Sequence, residues 1–498
     1  MFLNAPRVAH AWRSEFVGLD LNGPVLDGRL ARFVNFDNAA STPPLRKVVE
    51  AIDRFLPLYA AVHRGTGFKA RISTAAYDEA HDIIARFVGA SPDTNTVIIG
   101  RNTTDAINKL AYRLPLDPDS VIVSTMMEHH SNDLPWRRRG HLVRARVRAD
   151  GRLDEDHVDA LLQQFGRRVA LVTITGASNV TGYVQPIHRL ARKAHAVGAR
   201  ILVDAAQLAP HRRIDVRPDD HPEHLDFVAL SAHKMYAPFG AGALIGPRAL
   251  FEQGEPEYQG GGTIEVVTGG DVLWAGAPDR DEAGSPNVIG AFALAVAART
   301  LAALDQTRVQ EHETAITAYA RHRLRSVPGI TLYGDDAWHA PASLDAAPCD
   351  ANSDSNLNPI PIQYPNRLDD RVAVVTFNLD ALEHGLVAAI LGYEGGVGVR
   401  SGCFCAQQYV AHLLGLTPAD EDRRCQARRA GMPWPKPGMV RASFGLYNTC
   451  EEVDILVDML HRIARGEYRG IYEPRMNGAE YVPISGDPAN VRTRGLFA

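Results

Sequence analysis

The chain has 498 residues, 45% hydrophobic and 22% charged, with 42 glycines and 31 prolines, which excludes a disordered, collagenous or disulfide-rich chain and allows more than one domain. Against 58 acidic residues stand 53 basic ones, a net charge of −5, so the basic excess needed to bind a phosphate backbone is missing and nucleic acid is not an expected partner. Cys349, Cys403, Cys405, Cys425 and Cys450 form an odd, sparse set that suits reduced thiols and a cytoplasmic location better than a disulfide framework.

In chain order, the opening residues Met1 to Arg7 show no charged leader followed by an apolar run, so no secretory signal is read there. From about residue 95 to 246, short β-branched runs alternate with helical patterns, the sign of a mainly parallel sheet wrapped by helices. The strand candidates are Thr96 to Ile99, Val121 to Ser124, Val169 to Ile174, Ile201 to Val203, Phe227 to Leu230 and Ala243 to Ile245. Pro186 opens a helix whose stripe is Ile187, Leu190, Ala191 and Ala194, and Gly198 stops it. An Ala-rich helix is expected to run to about Leu304; its apolar core, Val288 to Ala298, is too short to cross a bilayer, so no membrane is expected. A second helix follows from Val309 to Val327.

Residues 334–366, rich in Pro, Asp, Asn and Ser, read as a long surface loop. Val372 to Asn378 reads as a strand, Asp420 to Gly438 as a basic, Pro-rich insertion in a surface loop, and Glu451 to Ile463 as a helix. The tail from Gly466 has little periodicity and no internal repeat is present. The expected organisation is an arm over 1–35, a large domain over 36–300, a small α/β domain over 301–466 with insertions near 334–366 and 420–438, and a tail over 467–498.

Polar clusters just after the apolar runs carry the chemistry, because ligands of open α/β sheets bind beyond strand ends. Asp226-Phe227-Val228-Ala229-Leu230 leads into Ser231-Ala232-His233-Lys234, and a lysine at the mouth of an apolar strand is placed to act as a Schiff-base amine; the plain alternative is a surface lysine. Asp204 ends another apolar run with Gln207 three residues on, suited to a protonated ring nitrogen or, more simply, to capping a helix. Thr103 and Thr104 open a helix whose N–H groups and hydroxyls suit a phosphate, or only a cap. In Glu128-His129-His130 an imidazole could stack on an aromatic ring, whereas neighbouring histidines on an extended segment point apart and suit a metal poorly.

Late in the chain, Arg400-Ser401-Gly402-Cys403-Phe404-Cys405 sets thiols beside glycine and positive charge, which suits a reactive thiolate; two small buried hydrophobes are an equal alternative, and half of a zinc site is a weaker reading. Arg441, inside an apolar run, needs an anion: a substrate carboxylate or a structural partner.

Taken with Phe36-Asp37-Asn38-Ala39-Ala40, Val62-His63-Arg64-Gly65, Ser178-Asn179-Val180, Gly260-Gly261-Gly262-Thr263 and Arg441-Ala442-Ser443, these motifs resemble the class V aminotransferase family of fold-type I pyridoxal phosphate enzymes from about residue 34 to 464. Within it the chain most resembles the cysteine desulfurases. The resemblance implies an α/β fold with a mainly parallel seven-stranded sheet in the large domain and a smaller C-terminal α/β domain. It implies that Lys234 bonds pyridoxal 5'-phosphate, His129 stacks on its ring, Asp204 meets its nitrogen, and Asn179 and Gln207 meet its phenolic oxygen. Thr103, Thr104, Ser231 and His233 would hold the phosphate, with Thr263 reaching the site of a second subunit in a homodimer. Arg441 would bind the carboxylate of a small amino acid, with His63, Arg64, Arg400 and Asn38 near it.

Cys405, five residues after Arg400, matches the desulfurase nucleophile, and Cys403 lies two residues before it. L-Cysteine would then yield L-alanine and a persulfide on Cys405 for a sulfur-acceptor protein. The Arg-Ser-Gly-Cys-Phe-Cys pattern also looks like the desulfurase-type domain of molybdenum cofactor sulfurases. The alternative within the family is a carbon–sulfur lyase, epimerase or aminotransferase of specialised metabolism.

Overall fold

Runs of Val, Ile, Leu and Thr without polar alternation have no face to turn toward water, and the fold covers them on both sides. The computed structural model describes residues 12–334, 370–380, 382–432, 436–475 and 480–489. Seven strands form its main sheet: β1 (Asn95–Gly100), β2 (Val121–Thr125), β3 (His141–Ala145), β4 (Val169–Thr175), β5 (Arg200–Asp204), β6 (Phe227–Ser231) and β7 (Gly242–Pro247). Their order is β1-β7-β6-β5-β4-β2-β3, with β7 antiparallel to both neighbours and the other pairs parallel. The expected α/β architecture with a mainly parallel seven-stranded sheet is present. The sequence pattern did not mark β3 because it is an edge strand, mostly half-exposed, whose Arg144 pairs with Asp133.

Helix α1 (Arg46–Phe55) precedes these strands, and α2 (Phe68–Phe87), α3 (Thr103–Arg113), α4 (Glu155–Phe165) and α5 (Ile187–Ala196) pack on them. In α5 the expected stripe of Ile187, Leu190, Ala191 and Ala194 is buried, and Gly198 takes φ +83° just past the end. A hairpin of β8 (Ile264–Val267) and β9 (Val272–Trp274) precedes α6 (Val288–Ala302), which packs on α1 and α2. Next, α7 (Gln306–Leu324) starts three residues before the expected Val309, because the Asp305 side chain accepts from the Thr307 and Arg308 N–H groups. Among the described residues no single helix is long and apolar enough to cross a membrane.

A second sheet, fully antiparallel, has the order β10-β11-β13-β12, from β10 (Ile330–Leu332), β11 (Val374–Leu379), β12 (Arg400–Gly402) and β13 (Met439–Ser443). Helices α8 (His384–Gly395) and α11 (Cys450–Ala464) pack on it with α7. Its core gathers Phe377, Ile390, Val440 and Leu456 together with Val34 and Phe36 from the start of the chain. Full burial of each such side chain contributes about 1.5–3 kcal/mol before ordering costs.

Two segments depart from expectation, and a third is not described. Residues 334–366 lie, but for Gly334, outside the described residues. The insertion expected as a surface loop instead holds a helix, α10 (Pro418–Arg429), after the short α9 (Gln407–Leu413). Thr417 and Asp420 bond reciprocally to each other's backbone N–H and Pro418 fills the first turn, so capping chemistry overrides the loop-like composition. The aperiodic tail forms an antiparallel hairpin, β14 (Tyr472–Arg475) with β15 (Glu480–Pro483). It is docked on α8, where the buried Glu394 carboxylate accepts from the Arg469 and Gly470 N–H groups and the Tyr472 hydroxyl. Cys403, Cys405 and Cys425 are free thiols, but Cys450 is disulfide-bonded. That corrects the expectation of reduced thiols throughout, since pairing follows distance in the fold rather than spacing in the chain.

Candidate active site

The parallel strands end along one edge of the main sheet, and there the polar residues gather. Asn102 caps α3 by accepting from the Asp105 N–H at 3.0 Å, which frees the hydroxyls of Thr103 and Thr104. Ser231, the last residue of β6, accepts from the Thr103 N–H at 2.8 Å and from its hydroxyl at 3.0 Å. Thr104 lies 2.6 Å from the Ser131 hydroxyl, itself 3.0 Å from His129 Nδ1. Gly242 lets β7 lie against this turn, because a Cβ there would stand 2.5 Å from Asn102 Cα. A helix N-terminus ringed by four hydroxyls is a site for a phosphate-like anion.

Beside that cradle, the imidazole Nδ1 of His129 accepts from the Ser131 N–H. Burial, reinforced by the charge of Lys234, lowers its pKa to about 3, so the ring is neutral. Burial and the same lysine lower His233 to about 4, and the His233 carbonyl accepts from the Thr42 N–H. Lys234 occupies the 3-10 turn that leaves β6. Desolvation brings its pKa down to about 8 against the opposing pull of Asp204, which makes it a usable nucleophile near neutral pH. Asp204 ends β5 with its carboxyl buried and its pKa raised by desolvation, accepting from the Ala206 N–H at 3.0 Å. Turns rather than a helix follow Asp204, so it caps nothing. Gln207 donates to the Ala39 carbonyl at 2.6 Å.

The facing wall comes from the second sheet. Arg441 of β13 is buried, donates to the Asn179 carbonyl at 3.0 Å, and lies 3.3 Å from Asp37 and 4.9 Å over the Phe404 ring. Burial pulls its pKa down to about 10, and its Nε has no hydrogen-bond partner. Asp37 also pairs with Arg400 at 2.7 Å. Phe404 and Cys405 both take left-handed backbone conformations, φ +50° and +54°. Their carbonyls are held by the Asn179 side chain at 2.7 Å and the His130 N–H at 2.6 Å. Cys405 is exposed and near enough to oppose slightly the burial that lowers Lys234 and Arg441; Cys403 is half-buried.

Three expected residues are not brought to this group, and Thr263, expected at the site of a second subunit, is not tested by one chain. His63 and Arg64, at φ +58° and +45°, lie before α2, with the His63 ring 5.8 Å from Tyr77 and its Nε2 3.9 Å from Asp78. Among the described residues neither is bonded to Arg441. Thr263 is buried and donates to the Gly260 carbonyl at 2.7 Å. The Asn38 side chain is bonded to its neighbours: its nitrogen faces Asn35, Ser443 and Asn448 acceptors and its oxygen accepts from Tyr447. The preceding Asp37 is the residue that reaches Arg441. Ser131 was likewise missed, although it stands two residues after His129. So was Glu128, pushed up to about 8 by burial while accepting from Thr125 and Asn132; it braces the His129 turn from below.

Residues 34–354 and 353–456 match the family of class-V aminotransferases. A cysteine desulfurase of Haloferax volcanii is 34% identical over 454 residues, 89% of this chain and 92% of that protein. One from Dickeya dadantii is 34% identical over 440 residues, covering 86% and 91% of the two. Among solved structures, an apo cysteine desulfurase from Thermococcus onnurineus NA1 superposes with a TM-score of 0.71 at 29% identity, covering 87% of this chain and 95% of that one. The S-sulfonic acid form of an Escherichia coli cysteine desulfurase gives 0.70 at 27% identity, covering 93% and 99%.

Proposed function

The chain belongs to the class-V aminotransferase family, and from that membership and the geometry of its site we propose that it is a pyridoxal phosphate-dependent cysteine desulfurase, converting L-cysteine to L-alanine with sulfur held on Cys405. The donor set suits the cofactor. Thr103, Thr104, Ser231 and His233 around the α3 N-terminus would hold its phosphate and the neutral His129 ring would lie on its face. Asp204 would meet the ring nitrogen, Asn179 and Gln207 the phenolic oxygen, and Lys234 would bond the aldehyde carbon. When bound, the cofactor supplies an electron sink that weakens bonds next to the substrate's α-carbon.

The chain's own groups do the rest. The Arg441 fork binds the substrate carboxylate, and its Nε, buried without a partner, is a donor awaiting an acceptor. Asp37 and Arg400 orient that fork. The Lys234 amine moves the proton at the α-carbon, its lowered pKa matching that task near neutral pH. The Cys405 thiolate attacks the substrate sulfur: a sulfur–sulfur bond forms, the carbon–sulfur bond breaks with its electron pair leaving on carbon, and protonation completes L-alanine.

The observation that carries the reading is Cys405, an exposed thiol in a backbone turn anchored on Asn179 and His130, beside Lys234 and Arg441. Exposure leaves a persulfide within reach of a sulfur-acceptor protein. We also read residues 36–300 and 301–466 as large and small domains of a homodimer with shared sites. The β8–β9 hairpin beside Thr263 supports this, with Val266, Val267 and Leu273 50%, 59% and 57% exposed.

The test is L-alanine formed from L-cysteine by the cofactor-loaded protein under reducing conditions, with Cys405→Ser beside it. Alanine and persulfide from the parent, both lost in the variant with cofactor absorbance intact, are expected. Equal turnover in the variant, or free sulfide or keto acid without persulfide, overturns the assignment.

A further inference from the structure

At the opposite edge of the main sheet, where β5 and β6 begin, three further side chains converge. His195 comes from the last turn of α5, and His224 and Asp226 from the turn leading into β6. Their ligand atoms all lie within 4.8 Å of one another. Both rings turn Nε2 toward Asp226, at 2.9 Å from His195 and 3.4 Å from His224, and they stack with centroids 4.1 Å apart. Each remaining ring nitrogen faces a backbone carbonyl: His195 Nδ1 is 3.0 Å from that of Pro222, and His224 Nδ1 is 2.8 Å from that of His221.

A carbonyl only accepts, so each Nδ1 carries the proton, which in a neutral imidazole leaves a lone pair on Nε2. Two lone pairs then face a carboxylate, a repulsive arrangement that a cation among them, or a proton on one ring, relieves. One proton relieves it at one ring only, and protons on both would stack two like charges 4.1 Å apart, whereas a single divalent ion serves both rings and the carboxylate. Nδ1–H fixed on a carbonyl, with Nε2 turned toward a shared carboxylate, is how metal-ligating histidines are oriented.

We propose that His195, His224 and Asp226 bind a divalent transition-metal ion of zinc's class, through two imidazole nitrogens and one carboxylate oxygen, with a further position left to water. The side chains are 18%, 19% and 10% exposed, which gives the ion an entry path. Asp226 also accepts from the Ile201 N–H at 2.8 Å, so the ion ties the start of β5 to the start of β6. Asp204 and Ser231 lie at the far ends of those strands, so the role of the ion is structural and independent of the proposed reaction.

The test is a zinc titration by calorimetry, and a cobalt(II) titration followed by visible absorption, of the EDTA-treated, cofactor-loaded full chain. Cys403, Cys405 and Cys425 are replaced by serine so that thiols do not hold the ion. One equivalent bound with a rise in Tm is expected, and His195→Ala or His224→Ala weakens binding by at least about tenfold. His224→Gln, with cofactor absorbance reporting an intact fold, guards against a variant that merely unfolds. No ion bound by this triple-serine protein, or undiminished affinity in folded His224→Gln, overturns the proposal.

Discussion

The two walls of the site are built on opposite principles. Asp204 and Ser231 end strands buried on both faces, Lys234 follows within one turn, and Thr103 opens a capped helix, so this wall has little freedom. The Cys405 wall is an exposed turn in which two consecutive non-glycine residues hold positive φ, a conformation that costs on the order of 1–3 kcal/mol per residue and persists only where surroundings impose it. Here Asn179 and the His130 N–H impose it. Rigid elements suit a group that must stay fixed, and a braced but exposed turn suits one that must reach a substrate and then be reached itself.

The comparison breaks first at Lys234. Lys234→Ala is expected to lower alanine formation from L-cysteine by more than about 10⁴-fold, because both the cofactor bond and the proton transfer go with the amine; appreciable turnover would mean the strand-borne wall is not the working one. Arg441→Lys tests the contact between the walls. Lysine keeps the charge but loses the fork, so kcat/KM for L-cysteine should fall about 10²-fold, mostly through KM, with cofactor content unchanged. Thr103→Val separates the walls: cofactor retention in dialysis should weaken about tenfold while the alkylation rate of Cys405 stays at the parent value.

The rigid wall was the legible one. Strands covered on both faces announce themselves as apolar runs, so the residues at their ends, Asp204, Ser231 and Lys234, could be singled out from the sequence alone. The edge strand β3 carries Arg144 and shows no such run, and α10 was hidden behind its prolines and arginines although Thr417, Pro418 and Asp420 spell a helix start. On the cysteine side the motif located Cys405, but not the left-handed turn or its anchors, because hydrogen bonds such as that from Asn179 to Phe404 span 225 positions of chain. Asp37, Asn38 and Ser131 show the same limit. Short polar residues have no period to read, and only the fold decides that Asp37 faces Arg441 while Asn38 turns toward Tyr447.

The finest test of the rigid wall is the titration of Lys234 itself. Desolvation disfavours the ammonium and sets its pKa at about 8, below the value of about 10.4 for an unfolded lysine. Only the neutral amine attacks an aldehyde, so the rate at which the apo-protein takes up pyridoxal phosphate should rise roughly tenfold from pH 7 to pH 9 and then level off. An unperturbed lysine would give about a hundredfold rise over the same interval with no plateau. The same shift has a stability sign: between about pH 8 and 10.4 the unfolded chain holds a proton on this lysine that the folded apo-protein does not, so the contribution of Lys234 to apo-protein stability rises with pH through that window. Lys234→Met, which carries no charge to desolvate, should therefore raise the Tm of the apo-protein at pH 7 and lose that advantage by pH 10. A plateau-free uptake profile together with an unchanged Tm difference would mean that the lysine is as solvated as the cysteine turn, and the contrast between the two walls would be gone.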